Sequence, residues 1–384
     1  MAQEIVFIPL GGGQSVGRSC YYLRIGNANV ILDAGIGVRN GLEQEPDFRF
    51  LITSPLMESM NQINQIFISH AHIDHVGYLL KLMNQASFAG VYMTEATKIL
   101  TRYQLYDRCF IGGSQPQEDM RLAAERLFEE VASVSYLQTI DFKNYKATFY
   151  PAGHIPGAMM VLFEIGKRKI LYTGDYSLQD TALTQGCMIP EGMDIDVVIL
   201  CGLHAKHSEY IKQHDDMFRQ MQSLFRYVAE RGRSVMCHVP QLSKGVEFLK
   251  LLNEWNSAGI PIYLDDSVMN MVVQMERMAI PILTRYNRIM EADMPLEPHI
   301  YMTSERSSRW RYAYSRTMMA DFSLHEDFAE MKTFLKKINP KQAVIVHCDK
   351  ERSPFDHTIE QELMFDGDCR TQIIFAEEGE IYKI

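Results

Sequence analysis

Three histidines and an aspartate crowd the six positions of HAHIDH, residues 70–75, between an apolar run and a helical-looking one. In an extended segment residues two apart point the same way, so His70 and His72 can grip one ion together. Asp74 and His75 lie beyond the turn and can face a second ion beside the first. Imidazole and carboxylate donors without thiolate suit zinc, with manganese or iron as substitutes. Two ions about 3.5–4 Å apart can share a hydroxide, lower its pKa and direct it at phosphorus. The same ions offset the charge that builds on the phosphate oxygens. The bland alternative is a polar loop rich in histidine, and four ligand-type residues at this spacing are too many for it.

Such a site needs elements that deliver further ligands to the same place. Apolar, β-branched-rich runs that end in loops read as strands, among them EIVFIPL, CYYLRI, ANVILDAG, QIFISH, VYMT, MVLFEI, RKILYTGD, DVVILCG, SVMCHV, PIYLDD and AVIVHCD. Three carry a ligand-type residue just past the expected strand end or in the loop beyond it: His154 in FYPAGHIPGA, Asp175 in YTGD and His347 in VIVHCD. A lone histidine at a strand end is usually structural, but these converge with HAHIDH on one sheet edge and read as ligands. Asp33, in VILDAG, reads as a residue that hydrogen-bonds a ligand histidine or shapes its loop. Helical periodicity fills the intervals, for example in ATKILTRYQLYDR, DMFRQMQSLFRYVAERG and EDFAEMKTFLKKINP. Strands alternating with helices predict a layered α/β architecture. Residues 206–324 alternate in another rhythm and read as a separate lobe.

Composition narrows the setting. The chain has 384 residues, room for two domains or for one large domain with an insertion. Its seven cysteines are odd in number, scattered and without a C-x-x-C pair, which points to free thiols in a reduced, cytoplasmic compartment. No basic flank precedes the first apolar run, and no run nears the roughly 18 residues of a membrane span. A formal charge of −10 weighs against indiscriminate nucleic-acid binding but leaves room for a local basic groove.

HAHIDH, GHIPGA, YTGD and LDAG together resemble the metallo-β-lactamase fold. DFSLHEDFAEMKTFLKKINPKQAVIVHCDKERS resembles the C-terminal part of the β-CASP nucleases, where a serine-alanine-histidine-threonine-aspartate segment precedes a helix and a strand ending in valine-histidine-glycine-glutamate. PLGGGQSVGRSCYYLRIGNANVILDAGI is similar to the opening of those enzymes, and ERGRSVMCHVPQLSKGVEFLKLLNEW to the start of their inserted domain. The likeness covers nearly the whole chain and is nearest the RNA-cleaving, pre-mRNA 3′-end endonuclease branch. It implies an α/β fold: a four-layer αββα metallo-β-lactamase sandwich from residues 1–205 and 325–384, with a shortened α/β β-CASP-like domain inserted at 206–324. It also implies two zinc ions. His70, His72 and His154 would hold one, Asp74, His75 and His347 the other, and Asp175 would bridge them. A metal-bound hydroxide would be the nucleophile. His325 in SLHED matches the histidine that gives the leaving oxygen its proton, a task suited to a group titrating near neutrality. Asp327 would orient it or line the site. Histidine at 347, where relatives acting on DNA carry valine, favours RNA.

The chain departs from that pattern in two places. Relatives carry a carboxylate that orients the proton-donating histidine where this chain has Cys201, so His325 lacks a charge partner there. His204 and His207 are weighed as substitutes against a solvated loop, and Cys201 as a ligand or nucleophile against simple packing. The second departure is the shortened lobe, where Arg306, Arg309, Arg311 and Arg316 alternate with Trp310, Tyr312 and Tyr314. Guanidinium groups and aromatic faces suit single-stranded RNA, against the alternative of an amphipathic packing segment. Arg285 and Arg288 are weaker candidates. GGGQSVGRS lacks the P-loop lysine and reads as a tight hairpin turn. The expected function is therefore a dinuclear-zinc ribonuclease, cytoplasmic and off the membrane, with a protein partner or a second copy as possible company. The alternatives are a weakly active RNA- or partner-binding subunit and a small-molecule metallo-hydrolase.

Overall fold

In the computed structural model the described residues are 4–110, 125, 128–206, 214–240, 242–291, 293–304, 310, 312–320, 322–348, 358–365 and 371–384. Arg306, Arg309, Arg311 and His207 lie outside them. The fold is mixed α/β with several sheets. The chain divides into two compact units: Met1–Asp180 with Gly186–Glu209 and His325–Ile384, and Thr181–Gln185 with Tyr210–Leu324.

In the first unit, side chains alternate across each strand, so Ile5 and Phe7 face one way and Val6, Ile8 and Leu10 the other. Both sets are apolar, and a strand apolar on both faces must be covered on both. The described residues of this unit accordingly form two seven-stranded sheets. One runs in the order Tyr382–Lys383, Ile5–Gly11, Cys20–Ile25, Ala28–Leu32, Gln65–Phe67, Gly90–Thr94, Ala132–Val134. The other runs Gln372–Phe375, Gln342–Val346, Val197–Cys201, Arg168–Tyr172, Met159–Ile165, Lys146–Pro151, Thr139–Asp141. A single apolar cluster draws on both, joining Phe7, Leu23 and Val30 to Phe149, Val161 and Ile199. Phe67 sits edge-on to Phe163 at 5.6 Å between ring centres. Fully burying one such side chain contributes about 1.5–3 kcal/mol. The other face of the first sheet packs under Val76, Leu79, Leu82 and Leu105.

The helix Phe328–Ile338 buries Met331, Phe334, Leu335 and Ile338, the i, i+3, i+4, i+7 stripe of an amphipathic helix. Asp327 caps it, accepting the Glu330 N–H at 2.8 Å in a reciprocal capping box. GGGQSVGRS does join two antiparallel strands, but through residues 12–19 rather than the tight turn expected. The reason is a second duty, since Gly12 O accepts the His347 N–H at 2.6 Å.

The second unit has a five-stranded, all-parallel sheet ordered Asn287–Ile289, Ile262–Leu264, Ile300–Thr303, Val235–His238, Thr317–Met319. Helices His214–Arg231, Ser243–Trp255 and Asp266–Arg277 belong to it. The buried Glu247 carboxylate accepts the N–H groups of Ala182 and Leu183, which ties Thr181–Gln185 to this unit. No helix among the described residues is long and apolar enough to cross a membrane.

Candidate metal centre

The parallel strands of both sheets end at one edge of the first unit. Ala28–Leu32 and Gln65–Phe67 are parallel neighbours, and past their ends come Asp33 and the 69–75 segment. Arg168–Tyr172, Val197–Cys201 and Gln342–Val346 are parallel neighbours too, and they end at Asp175, Cys201 and His347. His154 comes from the loop joining Lys146–Pro151 to Met159–Ile165. Asp33, His154 and His347 all adopt positive φ, at 59°, 58° and 52°. A non-glycine residue held there costs about 1–3 kcal/mol and typically marks a functional site. Gly35 allows LDAG to brace the HAHIDH turn, because a Cβ at that position would lie 1.6 Å from Asp74 O.

Ligand-type atoms converge in two adjoining sets: His70, His72, His154 and Asp175, then Asp74, His75 and His347. His72 Nδ1 lies 3.1 Å from His70 Nε2 and 3.0 Å from His154 Nε2. His347 Nε2 is 3.7 Å, and His75 Nε2 4.0 Å, from Asp74 Oδ2. Asp175 serves both sets. Its Oδ2 is 3.6 Å from His70 Nε2 and 4.0 Å from His154 Nε2, while its Oδ1 is 3.4 Å from His75 Nε2. Donors about 2.1 Å from one tetrahedral ion lie about 3.4 Å apart, so these separations suit shared ions. His75 Nε2 is buried without a hydrogen-bond partner, as a ligand atom facing an ion would be. The residues present fit a pair of metal ions.

The opposite ring nitrogens are fixed from behind. Asp33, acceptor-only when ionised, takes the N–H of His75 Nδ1 at 2.7 Å, the Ser69 N–H at 2.6 Å and the Ser69 hydroxyl at 2.7 Å. Ser69 Oγ, donating there, accepts from His70 Nδ1 at 3.0 Å. Ser19 Oγ pairs with His347 Nδ1 at 2.8 Å. Each contact turns the other nitrogen, with its lone pair, toward the centre. Ser19, Ser69 and Tyr172, whose hydroxyl donates to Asp33, are site residues that the motifs did not reveal. Asp33→Asn is expected to weaken metal binding by about 10–100-fold, the usual cost of losing such a partner. Competition with a chromogenic chelator measures this, and unchanged affinity would remove Asp33 from the site.

The electrostatics favour ligation. Desolvation, then His75, push the His70 pKa well below the ordinary value, and desolvation, then His154, lower His72 to about 3. Both rings are therefore neutral near pH 7, as ligation requires. Burial alone would also lower His75, but Asp175 and Asp33 outweigh it and carry that pKa well above the ordinary value. For Asp175 burial acts upward, yet His75 and His347 hold the carboxyl well below its usual range.

His325 joins the same edge, its Nδ1 3.5 Å from Asp175 Oδ2 and its ring 4.4 Å from that of His154. Asp327, expected to orient it, caps a helix and so fixes the backbone two residues on. Glu326, between them, went unnoticed in the sequence. It is fully buried, and both its carboxyl oxygens lack a hydrogen-bond partner. Burial, then Asp175, raise its pKa well above the usual carboxylate value. Cys201 Sγ donates to Asp175 Oδ1 at 2.8 Å. His204 joins none of the ligand groups among the described residues. In the second unit Arg316 lies over the Tyr227 ring and donates to Ser223 Oγ. Trp310 packs on a cluster of Met236, Met290, Tyr301 and Tyr314, whereas Tyr312 is exposed. Arg285 and Arg288 lie against Tyr286 and Tyr263.

Sheets and edge together define an α/β protein built around a paired histidine–carboxylate site of metal-ligand type. The family described as "Anti-Pycsar protein Apyc1" matches residues 6–234. The chain belongs to that family. It is also 32% identical over 265 residues to endoribonuclease ysh-1 of Neurospora crassa, covering 66% of this chain and 30% of that one. Cleavage and polyadenylation specificity factor 73 of Drosophila melanogaster is 31% identical over 270 residues, covering 68% and 38%. The chain therefore spans about a third of the length of these curated relatives. They bear out the resemblance to metallo-β-lactamase-fold β-CASP nucleases. A crystal structure of a protein of unknown function from Enterococcus faecalis V583 shares the fold over the whole of both chains, with a TM-score of 0.64 at 14% identity.

Proposed function

We propose that this chain is a dinuclear-zinc ribonuclease that hydrolyses phosphodiester bonds of single-stranded RNA. In this reading the two seven-stranded sheets and their helices are a four-layer metallo-β-lactamase sandwich, and residues 206–324 are an inserted, shortened β-CASP-like domain. The observation that carries it is the sharing of Asp175: one oxygen faces each ligand set, and His325 stands beside it. His70, His72 and His154 would hold one zinc and Asp74, His75 and His347 the other, with Asp175 between. When bound, the pair supplies an activated water at neutral pH and offsets negative charge on the phosphate. Asp33, Ser69 and Ser19 keep the ligand rings turned inward. His325 holds the proton destined for the leaving oxygen. Its ring is about one-fifth exposed, but desolvation and His154 push its pKa well below the ordinary histidine value, with Asp175 opposing them. A phosphate brought against the ring acts in the same sense as Asp175 and favours the protonated form.

The test is cleavage of diverse labelled single-stranded RNAs by purified, zinc-loaded protein. Cleavage that a chelator abolishes and added zinc restores is expected. Intact RNA from wild type and from Cys201→Glu alike would overturn the reading. RNA binding without turnover, together with a copurifying protein, would favour the binding-subunit alternative.

A further inference from the structure

We propose that Cys201 is a thiolate ligand of the second ion, the one assigned above to Asp74, His75 and His347. This rests on the dinuclear reading and makes it specific. Strand pairing carries the argument. Val197–Cys201 lies between Arg168–Tyr172 and Gln342–Val346, all parallel, with Tyr172 paired to Ile199 and Cys201 to Val346. The central strand therefore puts its last side chain between Asp175 and His347. Ligand atoms of Asp175, Cys201 and His347 all lie within 4.8 Å of one another. Cys201 approaches Oδ1 of Asp175, the oxygen that faces His75, so it adjoins the second set. The buried His75 Nε2, 3.4 Å from that same Asp175 Oδ1, points into the same space.

A thiolate sulfur about 2.3 Å from zinc and a neighbouring oxygen about 2.1 Å from it lie about 3.1–3.5 Å apart. The present S···O separation is 2.8 Å, so less than an ångström of movement converts a hydrogen bond into joint ligation. The balance is simple: the S–H bond breaks, a sulfur–metal bond forms and one proton leaves to solvent. Cys201 then brings the same single negative charge a carboxylate would bring, on a softer atom. Soft thiolate selects zinc over manganese or magnesium, so the second position discriminates between metals more sharply than the first.

Cobalt(II) titration of the full-length metal-free chain, followed spectroscopically, tests this. Two equivalents should bind, with the second bringing an intense near-ultraviolet sulfur-to-cobalt band. Cys201→Ser should lose the band, and Cys348→Ser, which alters the nearby thiol after His347, should keep it. X-ray absorption of the zinc-loaded wild type needs no variant and should show sulfur at about 2.3 Å. Two equivalents bound without a sulfur signal, or a band that survives in Cys201→Ser, would overturn the ligand role and leave the dinuclear reading standing. Failure to bind either metal would overturn both.

Discussion

Asp175→Asn is expected to reduce bound zinc from two equivalents to one or none and to abolish RNA cleavage, with the chain still folded. The loss should exceed the roughly 10–100-fold that removing an outer partner such as Asp33 costs. Asp175 is fully buried, and its two oxygens divide their contacts between the ligand sets. His75 and His347 hold it ionised despite burial, so it brings a full negative charge to a space ringed by imidazoles. Of the eight ligands proposed, Asp74 and Cys201 would remain anionic, and neither faces both ions. Two dications with no anion between them repel strongly, and a low-dielectric setting magnifies that repulsion. Asparagine keeps the shape and removes the charge, so the comparison isolates electrostatics from packing. Elemental analysis after gel filtration, beside thermal unfolding of the metal-free proteins, reads the result. Two equivalents of zinc on a folded variant would exclude Asp175 as the bridge.

The proposed ligand set was legible because it is concentrated at strand ends, where a short apolar run stops at a histidine or aspartate. HAHIDH needs no tertiary information to suggest two ions. Residues that aim the ligands were not legible in this way. Ser19 lies 328 positions from His347, and neither serine nor tyrosine carries a spacing signal for such contacts. Glu326 did leave a signal, a carboxylate directly after His325, but burial alone makes it unusual and a sequence does not show burial. Asp327 illustrates a competing rule. Aspartate with glutamate three residues later announces a helix start, and the structure spends Asp327 on that cap. The strand Lys146–Pro151 leaves only a weak trace in the sequence, because polar Lys146 and Thr148 and terminal Pro151 break up its apolar run. It is nonetheless buried through its centre between two neighbours. Arg316 reads as RNA-facing, and the sequence does not announce that its guanidinium also lies over Tyr227 and donates to Ser223 within its own unit.

His325→Ala should retain two equivalents of zinc while cleavage falls by about 10²–10⁴-fold, the usual worth of a positioned acid. Metal retention follows from geometry, because His325 belongs to neither ligand set although its Nδ1 is 3.5 Å from Asp175 Oδ2. The pH profile separates proton donation from mere support of Asp175. A donor acts only when protonated, so cleavage by the wild type should fall as pH rises through the pKa of His325 in the RNA complex. Desolvation and His154 depress that pKa, whereas Asp175 and the bound phosphate raise it. Near and above it the variant should lose least, and well below it the variant should lose most. A substrate whose leaving group needs no proton, such as a nitrophenyl phosphodiester, should restore much of the variant's rate. If the rate on that substrate falls as far as on RNA, with zinc intact, His325 positions the centre rather than supplying the proton. If zinc is lost as well, the ring belongs among the ligands.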